Sequence, residues 1–180
     1  MEKIIEDLVK DLTSIVEGKK LEKKRENLGD LVDIRFLRMV NFALQWTSVG
    51  YQSALRLAGM KLGKKIGTLS NKTETSLILE EIKKIFEFLK AGKVEFEIIP
   101  KETKALLRIY ESSLTFGLPN VSQNLCFFEE GFIEGYFDGI ISKVGTIGLV
   151  DGKSLNKVEV TEQKCVGLGN NFCEFLIKLK

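Results

Sequence analysis

Two stretches of this chain place glycine four residues apart. Gly59 and Gly63 do so within LQWTSVGYQSALRLAGMKLGKKIG, and Gly131, Gly135 and Gly139 within CFFEEGFIEGYFDGIISKVG. Helical neighbours recur every three or four residues, so each series falls on one face of a helix. Glycine weakens a helix, but a row of it leaves a smooth face where another element can come close. Ordinary helix packing is sufficient to account for both series. The spacing predicts two helices with such faces.

The apolar residues agree. Trp46, Val49, Ala54, Leu57, Ala58, Leu62 and Ile66 keep helical period in the first stretch, and Phe128, Phe132, Ile133, Tyr136, Phe137 and Ile140 in the second. Ile4, Ile5, Leu8, Leu12, Ile15 and Val16 predict a helix ending near Gly18. Leu31 to about Leu44 predicts another, with an apolar face of Leu31, Ile34, Leu37 and Val40 or Asn41. The clearest helix is TETSLILEEIKKIFEFLKAGK, with capping residues between Thr73 and Ser76 and a stripe of Leu77, Ile78, Ile82, Ile85, Phe86 and Leu89. The period then changes to two. KVEFEII alternates Val94, Phe96 and Ile98 with charge, and ALLRIYESS reads as its hairpin partner. TIGLVD, KVEVTEQ and FCEFLIKL are short strands, with turns at Asp151-Gly152 and near Gly169-Asn170-Asn171. Helices, a hairpin, a helix and more strands predict an α+β fold, an antiparallel sheet packed with helices. Residues 1–30 read as an N-terminal helix with a charged connector, and 31–180 as one domain.

Charge and composition remove several functions. The 27 basic and 25 acidic side chains nearly cancel, and a net charge of +2 gives no reason to expect nucleic acid. The basic cluster GKKLEKKRE is broken by glutamates and reads as a solvated connector. MEKIIEDLVKDL lacks the continuous apolar segment of a signal peptide, and no stretch reaches the ~18 apolar residues of a membrane span. The expectation is a cytoplasmic protein without a membrane span. The chain has no histidine, which excludes Ser-His-Asp and Cys-His catalysis and every histidine-ligated zinc or iron site.

The three cysteines are Cys126, Cys165 and Cys173. EQKCVGLGNNFC places Cys165 and Cys173 across a turn, with Glu162 three residues upstream. Thiolates and carboxylates are zinc ligands, and structural zinc takes four. Cys126 precedes the glycine-faced helix, where the helix N-terminus favours a thiolate, and is the natural fourth ligand. Residues i and i+3 of a regular strand face opposite ways, so Glu162 and Cys165 reach one ion only across a bulge or bend. Three thiolates and a carboxylate around Zn²⁺ carry a formal charge of about −2. Two other readings of the thiols stand beside this one: small buried hydrophobes and a Cys165–Cys173 redox pair.

CFFEEGFIEGYFDG followed by VEVTEQKCVGLGNNFCEF resembles the 4-vinyl-reductase-type domain. The pattern is carried by Cys126, Gly131-Phe132, Gly135-Tyr136, Glu162, Cys165, Cys173 and Phe175. ALRLAGMKLGKKIG resembles the same family's glycine-containing helix, so the likeness runs from about Leu44 to Lys180. It implies the ligand-binding fold shared with NO-sensing proteins and TRAPP trafficking subunits, often dimeric. It implies zinc at Cys126, Glu162, Cys165 and Cys173, which match the ligands of phenol-sensing activators. It also implies a small hydrophobic ligand.

Aromatic candidates for the wall of an apolar pocket are Phe42, Trp46, Tyr51, Phe116, Phe127, Phe128, Phe132 and Tyr136. Trp46 and Tyr136 could orient a ligand's polar group. A four-ligand zinc has no open position and would be structural. No G-x-G-x-x-G joins a strand to a helix. The first expectation is therefore a non-catalytic, homodimeric module that binds or senses a small hydrophobic molecule. An enzyme or accessory of tetrapyrrole vinyl reduction, and a scaffold subunit holding an acyl chain, are the alternatives.

Overall fold

A computed structural model describes residues 32–47, 50–149 and 152–180. Helix α1 is Ile34–Thr47, α2 Tyr51–Gly67, α3 Thr75–Phe88 and α4 Phe127–Val144. The strands are β1 Lys93–Ile99, β2 Lys104–Tyr110, β3 Ile147–Gly148, β4 Ser154–Leu155, β5 Val158–Lys164 and β6 Cys173–Leu179. The expected helix at residues 4–18 lies outside the described residues.

The main sheet is antiparallel throughout, in the order β1-β2-β6-β5. β1 covers the KVEFEII stretch read from its alternation, and it joins β2 through a short 3-10 turn at Pro100–Glu102. Register sets Leu107 beside Phe175 and Ala105 beside Ile177 on β6, with Val160 across from Ile177 on β5. Those side chains form the buried face of the sheet. β3 and β4 make a separate two-stranded ribbon, in which Gly152 takes φ +84° and donates its N–H to Leu149 O at 2.9 Å.

α3 buries Ile78, Ile82, Ile85 and Phe86 of the predicted stripe, and Leu79, which the stripe omits; the predicted Leu77 and Leu89 are exposed. Its start differs from expectation. Glu74 is the cap residue and makes no side-chain cap bond; Thr75 Oγ1 instead donates to Gly148 O at 2.8 Å, tying the helix to β3. The stop comes before Gly92: Lys90 takes the left-handed conformation and Ala91 N–H returns to Phe86 O at 2.8 Å. α1 also forms where the sequence places it, but with another face inward. Ile34, Leu37 and Val40 are exposed, while Asn41 and Gln45 are buried, because Gln45 Nε2 reaches Leu125 O at 3.2 Å.

α2 and α4 are the closest pair of elements. Their glycine faces meet each other, and Gly67 extends the α2 series by one more turn. A Cβ on Gly59, Gly63 or Gly67 would lie 2.1–2.2 Å from the carbonyl oxygen of Phe128, Phe132 or Tyr136. A Cβ on Gly131, Gly135 or Gly139 would lie 2.0–2.2 Å from that of Arg56, Met60 or Lys64. These contacts are backbone against backbone, so no side chain can move aside. The remaining faces of α4 bury Phe132, Ile133, Tyr136, Phe137 and Ile140, so the helix is enclosed on nearly all sides.

Alanine in place of glycine in an exposed helix stabilises by roughly 1 kcal/mol. Gly135→Ala is expected to do the opposite, losing at least about 2 kcal/mol because neither backbone can yield without separating the helices. Thermal unfolding should show Tm falling by roughly 4–8 °C; an unchanged or higher Tm would mean that the two backbones do not meet at this distance.

Candidate metal centre

Cys126 is the residue from which α4 starts, Cys165 follows β5, and Cys173 opens β6. Three local features bring them together. First, β6 pairs with β2 at Cys173–Ile109, with both side chains turned to the core. Second, the β5–β6 register slips between Glu162 and Lys164. This bulge at Gln163 is the distortion that the Glu162–Cys165 spacing requires, and it turns both side chains inward. Third, the β5–β6 connection is longer than a tight turn: it holds a 3-10 segment at Val166–Leu168, then Gly169 at φ +85°. Its Gly167 O accepts Val121 N–H at 2.8 Å. A Cβ on Gly167 would sit 2.5 Å from Gln123 O. The segment leading to Cys126 is thereby clamped to the connection, and Gln45 of α1 holds Leu125 from the other side.

The three Sγ atoms and a Glu162 carboxylate oxygen lie within 4.8 Å of one another, and all four residues are buried. Cys126–Cys165 is 4.0 Å, Cys165–Cys173 3.9 Å and Cys126–Cys173 2.9 Å. All three thiols are free. Glu162 Oε2 accepts Cys126 N–H at 3.3 Å, while Oε1 has no hydrogen-bond partner among the described residues. Burial raises the Cys126 thiol well above its ordinary range. Hydrogen bonds from Cys126 and Cys165 pull Cys173 down, so it is the thiol that ionises first. Burial, followed by the charge of Cys165, pushes Glu162 up to about 9. Without a cation, this group keeps protons that its geometry has no other use for. An orphaned carboxylate oxygen facing three thiols is a donor set that could hold a metal ion.

The strand carrying Glu162 is held from outside the cluster. β5 is an edge strand, and two of its N–H groups are taken by α4: Glu162 N–H donates to Glu130 Oε2 at 2.9 Å and Val160 N–H to Glu134 Oε2 at 3.0 Å. Arg56 of α2 grips both carboxylates, with Nε on Glu130 at 2.6 Å and Nη2 on Glu134 at 2.8 Å. These three residues lie within the quoted stretches but are not among the residues that carry the resemblance. Their only trace is a pair of glutamates four apart on a helix already rich in apolar residues.

A cavity of about 880 Å³ opens beside the cluster, between α3, the end of α2 and α4. Phe128, Phe132 and Tyr136 stand in its wall, opposite Ile85, Phe86 and Leu89. At one side Tyr136 OH donates to Glu81 Oε2 at 3.0 Å, and Ser70 Oγ donates to the same oxygen. Phe42, Tyr51, Phe116 and Phe127 are not among its lining residues. Phe116 is exposed, with the Arg38 guanidinium 5.5 Å from its ring centre. The side chain of Trp46 lies outside the described set. The α3 wall escapes sequence reading because its side chains belong to an ordinary core stripe. Glu129 also lines the cavity, on the helical face of Phe132 and Tyr136.

Comparison with known proteins bears on the fold. The family model of the 4-vinyl-reductase-type (V-4-R) domain matches residues 106–179. An uncharacterised protein of Methanocaldococcus jannaschii is 28% identical over 156 residues, 86% of this chain and 82% of its own length. Among solved structures, a vinyl-4-reductase family protein of the same organism aligns with 100% of this chain and 97% of its own, at 17% identity and TM-score 0.55. The phenol-responsive sensory domain of the transcription activator PoxR, solved with phenol, aligns with 94% and 89% at 14% identity and TM-score 0.59. A trafficking protein particle complex subunit 3 of Naegleria fowleri, covalently bound to palmitic acid, aligns with 82% and 95% at 18% identity and TM-score 0.56. The likeness to the 4-vinyl-reductase-type domain and to its TRAPP-related α+β fold therefore holds. No helix among the described residues is long and apolar enough to cross a membrane.

Glu130→Ala is expected to cost about 2 kcal/mol in urea unfolding, since it strands the Glu162 N–H and one side of Arg56. Glu95→Ala, at the exposed pair with Lys93, should change stability by less than about 0.5 kcal/mol. Equal effects of the two would mean that the Glu130 contact does not hold β5.

Proposed function

We propose, from the premise that residues 106–179 carry a 4-vinyl-reductase-type domain, that this chain is a binding or sensing module for a small hydrophobic molecule, with structural zinc at Cys126, Glu162, Cys165 and Cys173. The observation that carries the reading is that one helix serves both places. Cys126 starts α4, and Phe128, Phe132 and Tyr136, within its next three turns, stand in the cavity wall. Two proteins of like fold hold apolar molecules, phenol in one and palmitic acid in the other, which supports an apolar occupant here.

Zinc suits the donor set. Tetrahedral ligands at the Zn–S distance of ~2.3 Å stand about 3.8 Å apart, and two of the three Sγ separations, 3.9 and 4.0 Å, come close to that spacing. The third, 2.9 Å between Cys126 and Cys173, is shorter, so these two thiols would have to part. When bound, zinc supplies charge compensation and a crosslink between the β5–β6 connection and the start of α4, with no coordination position left for substrate. Glu162 would direct its unpaired Oε1 to the ion, while Oε2 keeps the Cys126 N–H. An occupant that shifts α4 would be read through the surface of a homodimer. Phe36 and Met39 of α1, 54% and 62% exposed, support such a pairing face.

Native mass spectrometry with metal analysis tests this. One zinc per chain, a dimer and a retained apolar molecule are the expected result. Cys126→Ser should lose zinc and several kcal/mol of stability together. A Cys126→Ser protein that keeps stoichiometric zinc would remove the four-ligand assignment.

A further inference from the structure

Glu162, with one oxygen free, belongs to the thiol cluster; the other buried or half-buried acids around the two sites have partners. Glu81 accepts from Ser70 and Tyr136, Glu130 and Glu134 share Arg56 and the β5 N–H groups, and Glu174 is paired with Arg108 and Lys164. Glu129 is different. It is 6% exposed, lines the cavity, and its Oε2 has no hydrogen-bond partner among the described residues. A buried carboxyl oxygen left without a partner costs on the order of 1–3 kcal/mol, so Oε2 in this position calls for a partner that the described residues do not supply.

Its surroundings narrow that partner. Phe128 and Phe132 share the cavity wall with it. Burial comes first in raising its pKa, to about 8, and the charges of Glu162 and Cys165 add to the rise. The carboxyl is then a neutral donor and acceptor. An anionic head group would be drawn to Lys72 and Lys84, which also line the cavity, and not to a carboxyl. A cationic head group would have to shed its water among aromatic rings against a carboxyl that is not ionised. A hydroxyl or carbonyl has neither difficulty.

We propose that Glu129 is the polar anchor of the cavity, pairing with the single hydroxyl or carbonyl of a neutral, otherwise apolar ligand whose body lies along Ile85, Phe86 and Phe132. This rests on the reading of the cavity as the ligand site. It adds a chemical class to that reading, because a pure hydrocarbon would leave Glu129 unpaired. It also places the ligand's polar end three residues from Cys126, on the first turn of the helix that the thiol cluster fixes.

The test is equilibrium dialysis of the full metal-loaded chain against 1-naphthol and 1-methylnaphthalene, which differ by hydroxyl against methyl. Apolar partitioning alone favours the methyl compound. The wild-type chain is expected to bind 1-naphthol at least as tightly. Glu129→Met should shift the naphthol-to-methylnaphthalene affinity ratio about tenfold toward the methyl compound. Glu129→Gln, which keeps a donor and an acceptor, should hold the wild-type ratio within about threefold, with zinc content unchanged. A wild-type preference for 1-methylnaphthalene overturns the anchor while leaving the ligand cavity standing, and this result needs no variant to fold. An unshifted ratio in Glu129→Met overturns it too. Failure of both compounds to bind the wild-type chain overturns the cavity reading and the anchor with it.

Discussion

The backbone contact between α2 and α4 sets the position of nearly everything else. Six glycines, three on each helix, stand where a Cβ would enter a carbonyl oxygen of the opposite helix. Such a contact has one distance and little freedom to rotate, because the ridges that set ordinary helix crossing are absent. It therefore fixes the axis of α4 relative to α2. Arg56 on α2 can then reach Glu130 and Glu134 on α4, and those carboxylates can reach the N–H groups of β5. The path from the glycine contact to the strand bearing Glu162 is two side chains long.

α4 and its cap residue divide their side chains among three tasks, and the helical period explains how. Glu130 and Glu134, four apart, share one face and satisfy an edge strand. Edge strands leave N–H groups open to pairing with other chains, so the same bonds that position Glu162 also close β5 at two residues. Glu129, one residue earlier and about 100° around the helix, falls on the face of Phe132 and Tyr136 and reaches the cavity. Cys126, at the start, meets the thiols of the β5–β6 connection. Thiol cluster, strand clamp and cavity wall are thus successive radial directions of a single helix.

What the sequence reveals follows the range of the interactions involved. Strict alternation marks β1 because its two faces meet different surroundings, and α3 shows its stripe for the same reason. α4 keeps helical period but shows no polar face, because it is enclosed on nearly all sides, which weakens the contrast that periodicity relies on. The glycine rows are visible as smooth faces, but spacing cannot say that one row meets the other. α1 misleads for a related reason: its apolar stripe is genuine, yet the described domain buries its polar edge through Gln45. The thiol cluster is legible as a donor set only with a distortion between Glu162 and Cys165, and the register slip supplies it. Glu129 carries no signal, since a glutamate in a helix ordinarily faces water and only the surrounding packing shows that this one does not.

The bulge at Gln163 has a consequence for how the cluster and the cavity are coupled. In an unbulged β5, Glu162 would remain inward at its pairing with Phe175, and Cys165 would leave the core. The thiol cluster would fall to two, and the connection clamped to Val121 through Gly167 would be displaced by one residue. A metal held by the cluster would oppose that slip from both sides of the bulge, since it would tie Glu162 before it and Cys165 after it. The register shift and the closing of the thiol cluster are therefore one constraint, and it bears directly on where α4 begins. A molecule that moved the first turn of α4 would have to work against this constraint, and Phe128 and Glu129, on that turn, are where the cavity wall comes nearest in sequence to Cys126.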